Sequence, residues 1–256
     1  MAIPNDPIKN VVVLMLENRS FDHLLGDLKH LPTHSALEGI DRDHANSNVL
    51  DSVAYPQTGD ASATLPKGFD PAHEHSNVKI QLGSLKNPDM SGFLQDAKAQ
   101  LGRDFKIGTL REVMRYFPVA DDSKKDTLPA LRTLARSFTV CDHWFSSLPG
   151  PTWPNRFFAL CGTAAGHITM PSGLSDIGKL FESYDMETVF DRIRGKGLSC
   201  RIFHDGVPLS LLLRRTWRYP QIYGDLDDFE ALAKSGDVAA FPAFSFIEPD
   251  YNGGLF

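Results

Sequence analysis

Length, composition and charge limit the classes of protein to which this chain can belong. The 256 residues carry a formal net charge of -6, and 42% of them are hydrophobic and 23% charged. This composition is typical of an ordinary globular protein, and the negative balance argues against a nucleic-acid-binding surface, which normally needs a basic patch. The length is within the range of a single α/β unit with a sizeable core.

Targeting segments and cysteines give a second set of expectations. The first residues lack the basic and apolar regions of a signal peptide, and the apolar runs elsewhere are too short for a transmembrane segment. The sequence alone therefore favours a cytoplasmic location. Cys141, Cys161 and Cys200 leave one thiol unpaired in any pairing, and we expect buried free thiols.

The first predicted element is a strand over Val11–Leu16, an unbroken apolar run that suits a central strand covered by helices on both faces. Glu17 and Asn18 follow it directly. In open α/β sheets ligands bind outside the carboxyl ends of the strands, and these two side chains offer the oxygen ligands that hard divalent cations prefer. The alternative is an ordinary polar loop after a strand. Ser20 is expected to cap a short helix.

A long polar region without periodicity follows, as far as about residue 67. Its histidines at 30, 34 and 44 are expected to be solvated. His73 and His75 come next and would point the same way in an extended segment, where they could bind phosphate or act as general acids.

Strands and helices then alternate, which is the pattern of an α/β fold. A helix over 128–135 is expected to lead into a strand over 137–142, and a helix over 181–194 into a strand over 198–206. His204 lies at the end of that strand and is a candidate ligand or acid, with a structural histidine as the alternative. Other helices are predicted from residue 89, over 109–117, 209–217 and 225–235, and a last strand over 243–247.

The most distinctive stretch is Gly150-Pro-Thr-Trp-Pro-Asn-Arg156. Its prolines predict a stiff turn that places Thr152 before a helix over about 155–160. A hydroxyl at a helix N-terminus is well placed to attack a phosphoryl group, because the backbone N–H groups there favour an anion. Asn155 and Arg156 could hold the anion's oxygens. The alternative makes Thr152 a helix cap and Arg156 a surface charge.

Together these segments resemble the bacterial phosphoesterase family that contains phosphatidylcholine-hydrolysing phospholipases C and an acid phosphatase. The matching segments are 17–23, 70–73, 91–93, 142–162 and 246–251, so the resemblance covers nearly the whole chain. It implies an alkaline-phosphatase-like fold, which is a three-layer α/β/α arrangement around a mainly parallel sheet. It also implies one phosphoesterase domain over 1–256.

The resemblance further implies roles for individual residues. Glu17 and Asn18 would bind a divalent metal ion, and Thr152 would be the nucleophile and also touch that metal. Asn155 would hold a phosphoryl oxygen, and His73 and His204 would lie near the phosphate. The expected substrate is a phosphate ester or a phospholipid. Members of the family are often exported.

The sequence departs from the family pattern at its end. The family continues beyond the Glu248-Pro-Asp-Tyr251 segment into acidic motifs that supply further metal ligands, and these are absent before Phe256. We therefore expect a chain that is incomplete at its C-terminus. The alternatives are a non-catalytic homologue that binds anions and an acid phosphomonoesterase.

Overall fold

A computed structural model describes residues 7–43, 46–61, 70–102, 106–119, 126–170 and 184–251. The chain divides into two compact units. The first unit consists of Met1–Glu17 and Thr152–Phe256, and the second of Asn18–Pro151. A single phosphoesterase domain over 1–256 stays a prediction.

The described residues form six strands and eight α-helices. The strands are β1 (Val11–Leu14), β2 (Ser47–Leu50), β3 (Val53–Pro56), β4 (Cys200–His204), β5 (Tyr223–Asp225) and β6 (Phe244–Glu248). The helices are α1 (Phe21–Leu24), α2 (His75–Gln81), α3 (Phe93–Leu101), α4 (Ile107–Val113), α5 (Pro129–Ser137), α6 (Thr152–Cys161), α7 (Val189–Gly195) and α8 (Leu226–Ser235).

The first unit is built on a parallel sheet with the strand order β1-β6-β4-β5. Each neighbouring pair is parallel, and the register aligns Leu14 with Ile247 and His204 with Glu248. The carboxyl ends of β1, β6 and β4 therefore meet at one edge of the sheet. The predicted mainly parallel sheet is confirmed.

Helices cover both faces of this sheet. Successive residues of a strand point to opposite faces, and the two middle residues of β4 show what lies on each side. Ile202 belongs to the main hydrophobic core together with Phe157 of α6 and Phe190 of α7. Phe203 packs instead against Phe229 of α8, with the ring centroids 5.3 Å apart. This arrangement is the expected three-layer α/β/α architecture.

The prediction of a central, covered strand at Val11–Leu16 is wrong for the described sheet. β1 pairs only with β6 and lies at the end of the strand order. Val11, Val12 and Leu14 are 44%, 45% and 55% exposed. An apolar run indicates that a segment favours a strand. The position of that strand in the sheet depends on which distant segments pair with it.

The second unit contains an antiparallel hairpin and helices α1 to α5. β2 pairs with β3 inside the region that was expected to be irregular. No strand forms over 137–142, because α5 extends through Ser137 and the following residues pair with no strand among those described. Phe138 is 71% exposed. The Phe-Thr-Val run has strand propensity but finds no partner.

Several local predictions also need correction. The helix expected over 181–194 is present only as α7, since Thr188 forms a capping box with Asp191 and starts the helix there; residues 181–183 lie outside the described residues. The segment 209–217 forms two short 3₁₀ turns instead of an α-helix.

The predicted environments of the histidines and cysteines hold only in part. His30 is exposed, although its Nε2 lies 2.9 Å from the carbonyl of Ile40. His34 is half-buried, with its Nε2 3.0 Å from the carbonyl of Ala135, so it departs from the prediction of a solvated side chain. His44 lies outside the described residues. All three cysteines are free, but Cys141 is exposed, and only Cys200 is fully buried.

We expect Phe203→Ala to lower the free energy of unfolding by about 3–5 kcal/mol, because it leaves a cavity between β4 and α8. Phe203 is fully buried. Urea unfolding followed by far-UV circular dichroism measures the change. Phe145→Ala is the control, since Phe145 is 77% exposed, and an equal loss in both variants would contradict the assigned packing.

Candidate active site

Glu17 is the residue around which the candidate site is arranged. It follows β1 by three residues, at the carboxyl edge of the parallel sheet. Its two carboxylate oxygens have different partners. Oε1 accepts a hydrogen bond from the hydroxyl of Thr152 at 3.0 Å, and Oε2 accepts one from Nε of Arg156 at 3.2 Å. The proximity of Glu17 and Thr152 that the sequence predicts is present.

Thr152 owes its position to helix α6. The helix begins at Thr152 itself, three residues earlier than the sequence suggests, and ends before Gly162, whose φ of 71° is in the left-handed region that favours glycine. Thr152 therefore lies in the first turn, where backbone N–H groups have no intrahelical partner. Trp153, next to it, is partly buried against the hydrophobic core.

Arg156 is fully buried, which neither sequence interpretation anticipated. Its side chain has no exposed area, so it is neither a surface charge nor a group that reaches out to a bound anion. Nη2 donates to the carbonyl of Met15 at 2.7 Å. The guanidinium carbon lies 4.8 Å from the centroid of the Tyr251 ring. The four-residue spacing of Thr152 and Arg156, which puts both on one helix face, is the sequence signal that could have revealed this role.

A second carboxylate, Glu248, lies at the end of β6. It is fully buried and accepts hydrogen bonds from the backbone N–H and the hydroxyl of Ser210, at 3.2 and 2.6 Å. The hydroxyl of Tyr251 donates to its other oxygen at 3.2 Å. Burial raises the pKa of Glu248, and nearby Arg156 acts in the opposite direction. In the sequence, an acidic residue directly after an apolar run is the feature that could have identified Glu248 as a site residue.

His204 lies at the carboxyl end of β4, next to Glu248 in the register. Its Nδ1 is 2.8 Å from the carbonyl of Gly206. In the neutral ring Nδ1 therefore carries the proton and Nε2 is the acceptor. The ring packs edge-on against Tyr223, with centroids 6.0 Å apart. His204 thus lies at the expected edge of the sheet.

The other predicted site residues are placed as follows. Asn155 is in the first turns of α6 with Thr152. Asn18 and His73 belong to the second unit. Asn18 has a φ of 68°, a conformation that asparagine tolerates better than most residues. His73 does not extend alongside His75, because α2 begins at His75, and Nδ1 of His73 is 3.2 Å from the carbonyl of Pro71.

The resemblance implies a metal ion, which the described residues fit in donor type but not in charge. The Glu17 carboxylate and the Thr152 hydroxyl are hard oxygen donors 3.0 Å apart. However, the charge of Glu17 is offset by Arg156. Within the part of the chain that the structure describes, no three His, Cys, Asp or Glu side chains cluster as metal ligands would. Glu17 and Thr152 would therefore supply only part of a cation site, and the metal ion stays a prediction.

Comparison with known proteins identifies the family. The Phosphoesterase family model matches residues 8–253. The chain belongs to the phosphoesterase family. The resemblance seen in the motifs is confirmed.

Curated relatives of this phosphoesterase are named as phospholipases C. The chain is 32% identical to non-specific phospholipase C6 of Arabidopsis thaliana, over 96% of its own length and 44% of the relative. It is 31% identical to non-specific phospholipase C3 of the same plant, over 96% and 46%. Hemolytic phospholipase C of Pseudomonas aeruginosa is 29% identical over 78% of the chain and 26% of the relative. The chain thus spans less than half the length of these relatives.

Among the described residues, none of the helices has both the length and the apolar character that crossing a bilayer requires.

The buried Glu248 predicts a pH dependence of stability. Because burial raises its pKa above the ordinary 4.5, the folded state takes up a proton between pH 4.5 and the raised pKa. The free energy of unfolding should therefore fall as pH rises through that window. We expect Glu248→Gln to flatten this slope in urea titrations at a series of pH values.

Glu230→Gln is the matched control, because Glu230 lies on α8 with its side chain 61% exposed. In this variant the free energy of unfolding should change with pH as it does in the parent. A Glu248→Gln variant with the parent's slope would show that Glu248 is not the group that titrates.

Proposed function

We propose that this phosphoesterase is a phospholipase C-like hydrolase of phosphoric esters, with Thr152 as its nucleophile. The observation that carries the proposal is the 3.0 Å hydrogen bond from the Thr152 hydroxyl to Glu17. The relatives' names support the reaction class, since phospholipases C recur among them in a plant and a bacterium. The expected substrate is a phospholipid or another phosphate diester.

The first step is attack by the Thr152 hydroxyl oxygen on phosphorus. Because this hydroxyl donates its hydrogen to Glu17, its lone pairs point away from the carboxylate and are free for attack. A new bond forms between Oγ1 and phosphorus, the bond from phosphorus to the alcohol oxygen breaks, and the alcohol leaves with a proton. The product on the enzyme is phospho-threonine.

In the second step water attacks the phospho-threonine. The bond between phosphorus and Oγ1 breaks, the Thr152 hydroxyl regains its proton, and the phosphate product is released. The net reaction consumes one water for each ester bond. The N-terminal turn of α6 favours the negative charge of the phosphoryl group in both steps, because the positive end of the helix dipole lies there.

Asn155 and His204 are proposed to assist. The Asn155 amide would donate to a phosphoryl oxygen near the start of α6. His204 lies at the carboxyl end of β4, and its Nε2 is the ring atom available to a phosphate or a leaving group, because Nδ1 faces Gly206. His73 stays a prediction for the same role.

A divalent cation is also part of the proposal. Glu17, Asn18 and Thr152 would contribute oxygen ligands to it. When bound, the cation would stabilise the negative charge that develops on the reacting oxygens. These three residues would supply only part of its ligand set.

One observation favours the alternative of a non-catalytic anion binder. The only carboxylate in contact with the Thr152 hydroxyl among the described residues is paired with a buried guanidinium. Such a neutral pair attracts a cation weakly, while the N-terminal turn of α6 still favours an anion. Isothermal calorimetry with inorganic phosphate would detect that binding.

We expect Thr152→Val to lower hydrolysis of p-nitrophenyl phosphorylcholine by at least about 10³-fold, because valine keeps the shape and removes the nucleophile. The free energy of unfolding should fall by about 1.5 kcal/mol, the cost of one hydrogen bond to a charged group. Thr152→Ser should keep part of the activity. Steady-state rates are measured with p-nitrophenyl phosphate in parallel, and a faster rate on it would favour the acid phosphomonoesterase alternative.

Thr133→Val is the control, because the exposed Thr133 hydroxyl donates to the carbonyl of Pro129 within α5. Parent-like turnover of Thr152→Val would rule out the nucleophile. A parent chain that binds phosphate without any turnover would favour the anion-binding alternative for this chain.

Glu17→Gln should reduce turnover because the neutral amide is a poorer acceptor for the Thr152 proton and a poorer cation ligand. If the cation is required, chelator should abolish turnover in the parent. Excess Mg²⁺ or Mn²⁺ should then partly restore turnover in Glu17→Gln. Equal activity of the parent with and without chelator would contradict the metal part of the proposal while leaving Thr152 in place.

A further inference from the structure

Arg156 and Thr152 approach the same carboxylate from one helix. They are four residues apart in α6, so both lie on the same face. Thr152 bonds Oε1 of Glu17 and Arg156 bonds Oε2. A carboxylate held at only one oxygen can rotate about its last side-chain bond, whereas one held at both oxygens has a single orientation.

Arg156 also holds the backbone that carries Glu17. Its Nη2 donates to the carbonyl of Met15, the first residue after β1. Two donors of one planar group therefore contact the beginning and the end of the segment 15–17. A lysine ammonium lacks this fixed geometry of several donors.

The guanidinium of Arg156 also contacts an aromatic ring. It lies over the ring of Tyr251, whose hydroxyl donates to the buried Glu248. Glu248 is held by Ser210. A continuous set of contacts thus runs from the end of β6 to the Thr152 hydroxyl, all within the first unit.

We infer that Arg156 is a positioning residue for the Glu17–Thr152 pair. Its fully buried side chain cannot touch a substrate, so its effect passes through Glu17, whose orientation keeps one oxygen on the Thr152 hydroxyl. The inference deepens the proposed function, and its relevance to catalysis rests on that proposal. The contacts of Arg156 do not depend on the proposed function.

A purely structural role makes a different prediction from a positioning role. If Arg156 only fills and stabilises the core, its loss lowers stability but leaves the interaction between Glu17 and Thr152 intact. If it positions Glu17, its loss removes that interaction. The coupling between Glu17 and Thr152 is therefore the quantity to measure.

The experiment is a double-mutant cycle of Thr152→Val and Glu17→Ala, read from urea unfolding equilibria. In the parent background we expect a coupling of about tenfold in the unfolding equilibrium constant, as for a hydrogen bond to a charged group. In the Arg156→Lys background, which keeps the charge, it should fall below about twofold. An unchanged coupling there overturns the inference.

Arg192→Lys is the matched control background, because Arg192 pairs with Glu187 and its side chain is 75% exposed. The coupling should keep its parent value. If Arg156→Lys does not fold, the same cycle in the Arg156→Met background replaces it, since this change keeps an apolar side chain in the core and removes both hydrogen bonds of Arg156. A parent-like coupling there would overturn the inference equally.

Turnover separates this inference from the proposed function. Arg156→Lys should lower kcat on p-nitrophenyl phosphorylcholine with little change in KM, because substrate is not contacted. If Thr152→Val keeps parent activity while the coupling depends on Arg156, the nucleophile is wrong and the positioning role stands. If the coupling is independent of Arg156 while Thr152→Val is inactive, the nucleophile stands and the positioning role of Arg156 is wrong.

Discussion

The first unit depends on one shared carboxylate. Glu17 accepts a hydrogen bond from a hydroxyl at one oxygen and from a buried guanidinium at the other. This arrangement joins the end of β1 to the first two turns of α6. It is possible because β1 and β6 run parallel, so that their carboxyl ends and the side chains that follow them meet at one edge.

The charges at this edge explain why a buried arginine is tolerated. An unpaired guanidinium inside a protein is costly, but Arg156 contacts one carboxylate directly, and a second, Glu248, also influences its surroundings. Ser210 and Tyr251 satisfy Glu248 in turn. The Thr152 hydroxyl is at one end of this network, in the first turn of α6. This placement supports the proposed binding of a phosphoryl group.

Local sequence signals predicted much of this site. The Glu17-Asn18 pair after an apolar run and the Thr152 hydroxyl after a proline-rich turn were identified from residue types and order. Their roles as metal ligands and nucleophile stay predictions. The contribution of Arg156 was misjudged, because burial of a charged residue depends on partners that are distant in sequence, here Glu17 and Tyr251.

The sequence by itself determined the α/β class, the family and the strands predicted over 198–206 and 243–247, since these follow from local periodicity and motifs. The structure places these strands at 200–204 and 244–248. Only the tertiary structure decided that β1 lies at the end of the described strand order and that 137–142 forms no strand. It also decided that Arg156 faces inward. Strand rank and burial are set by pairing between distant segments, which local pattern does not encode.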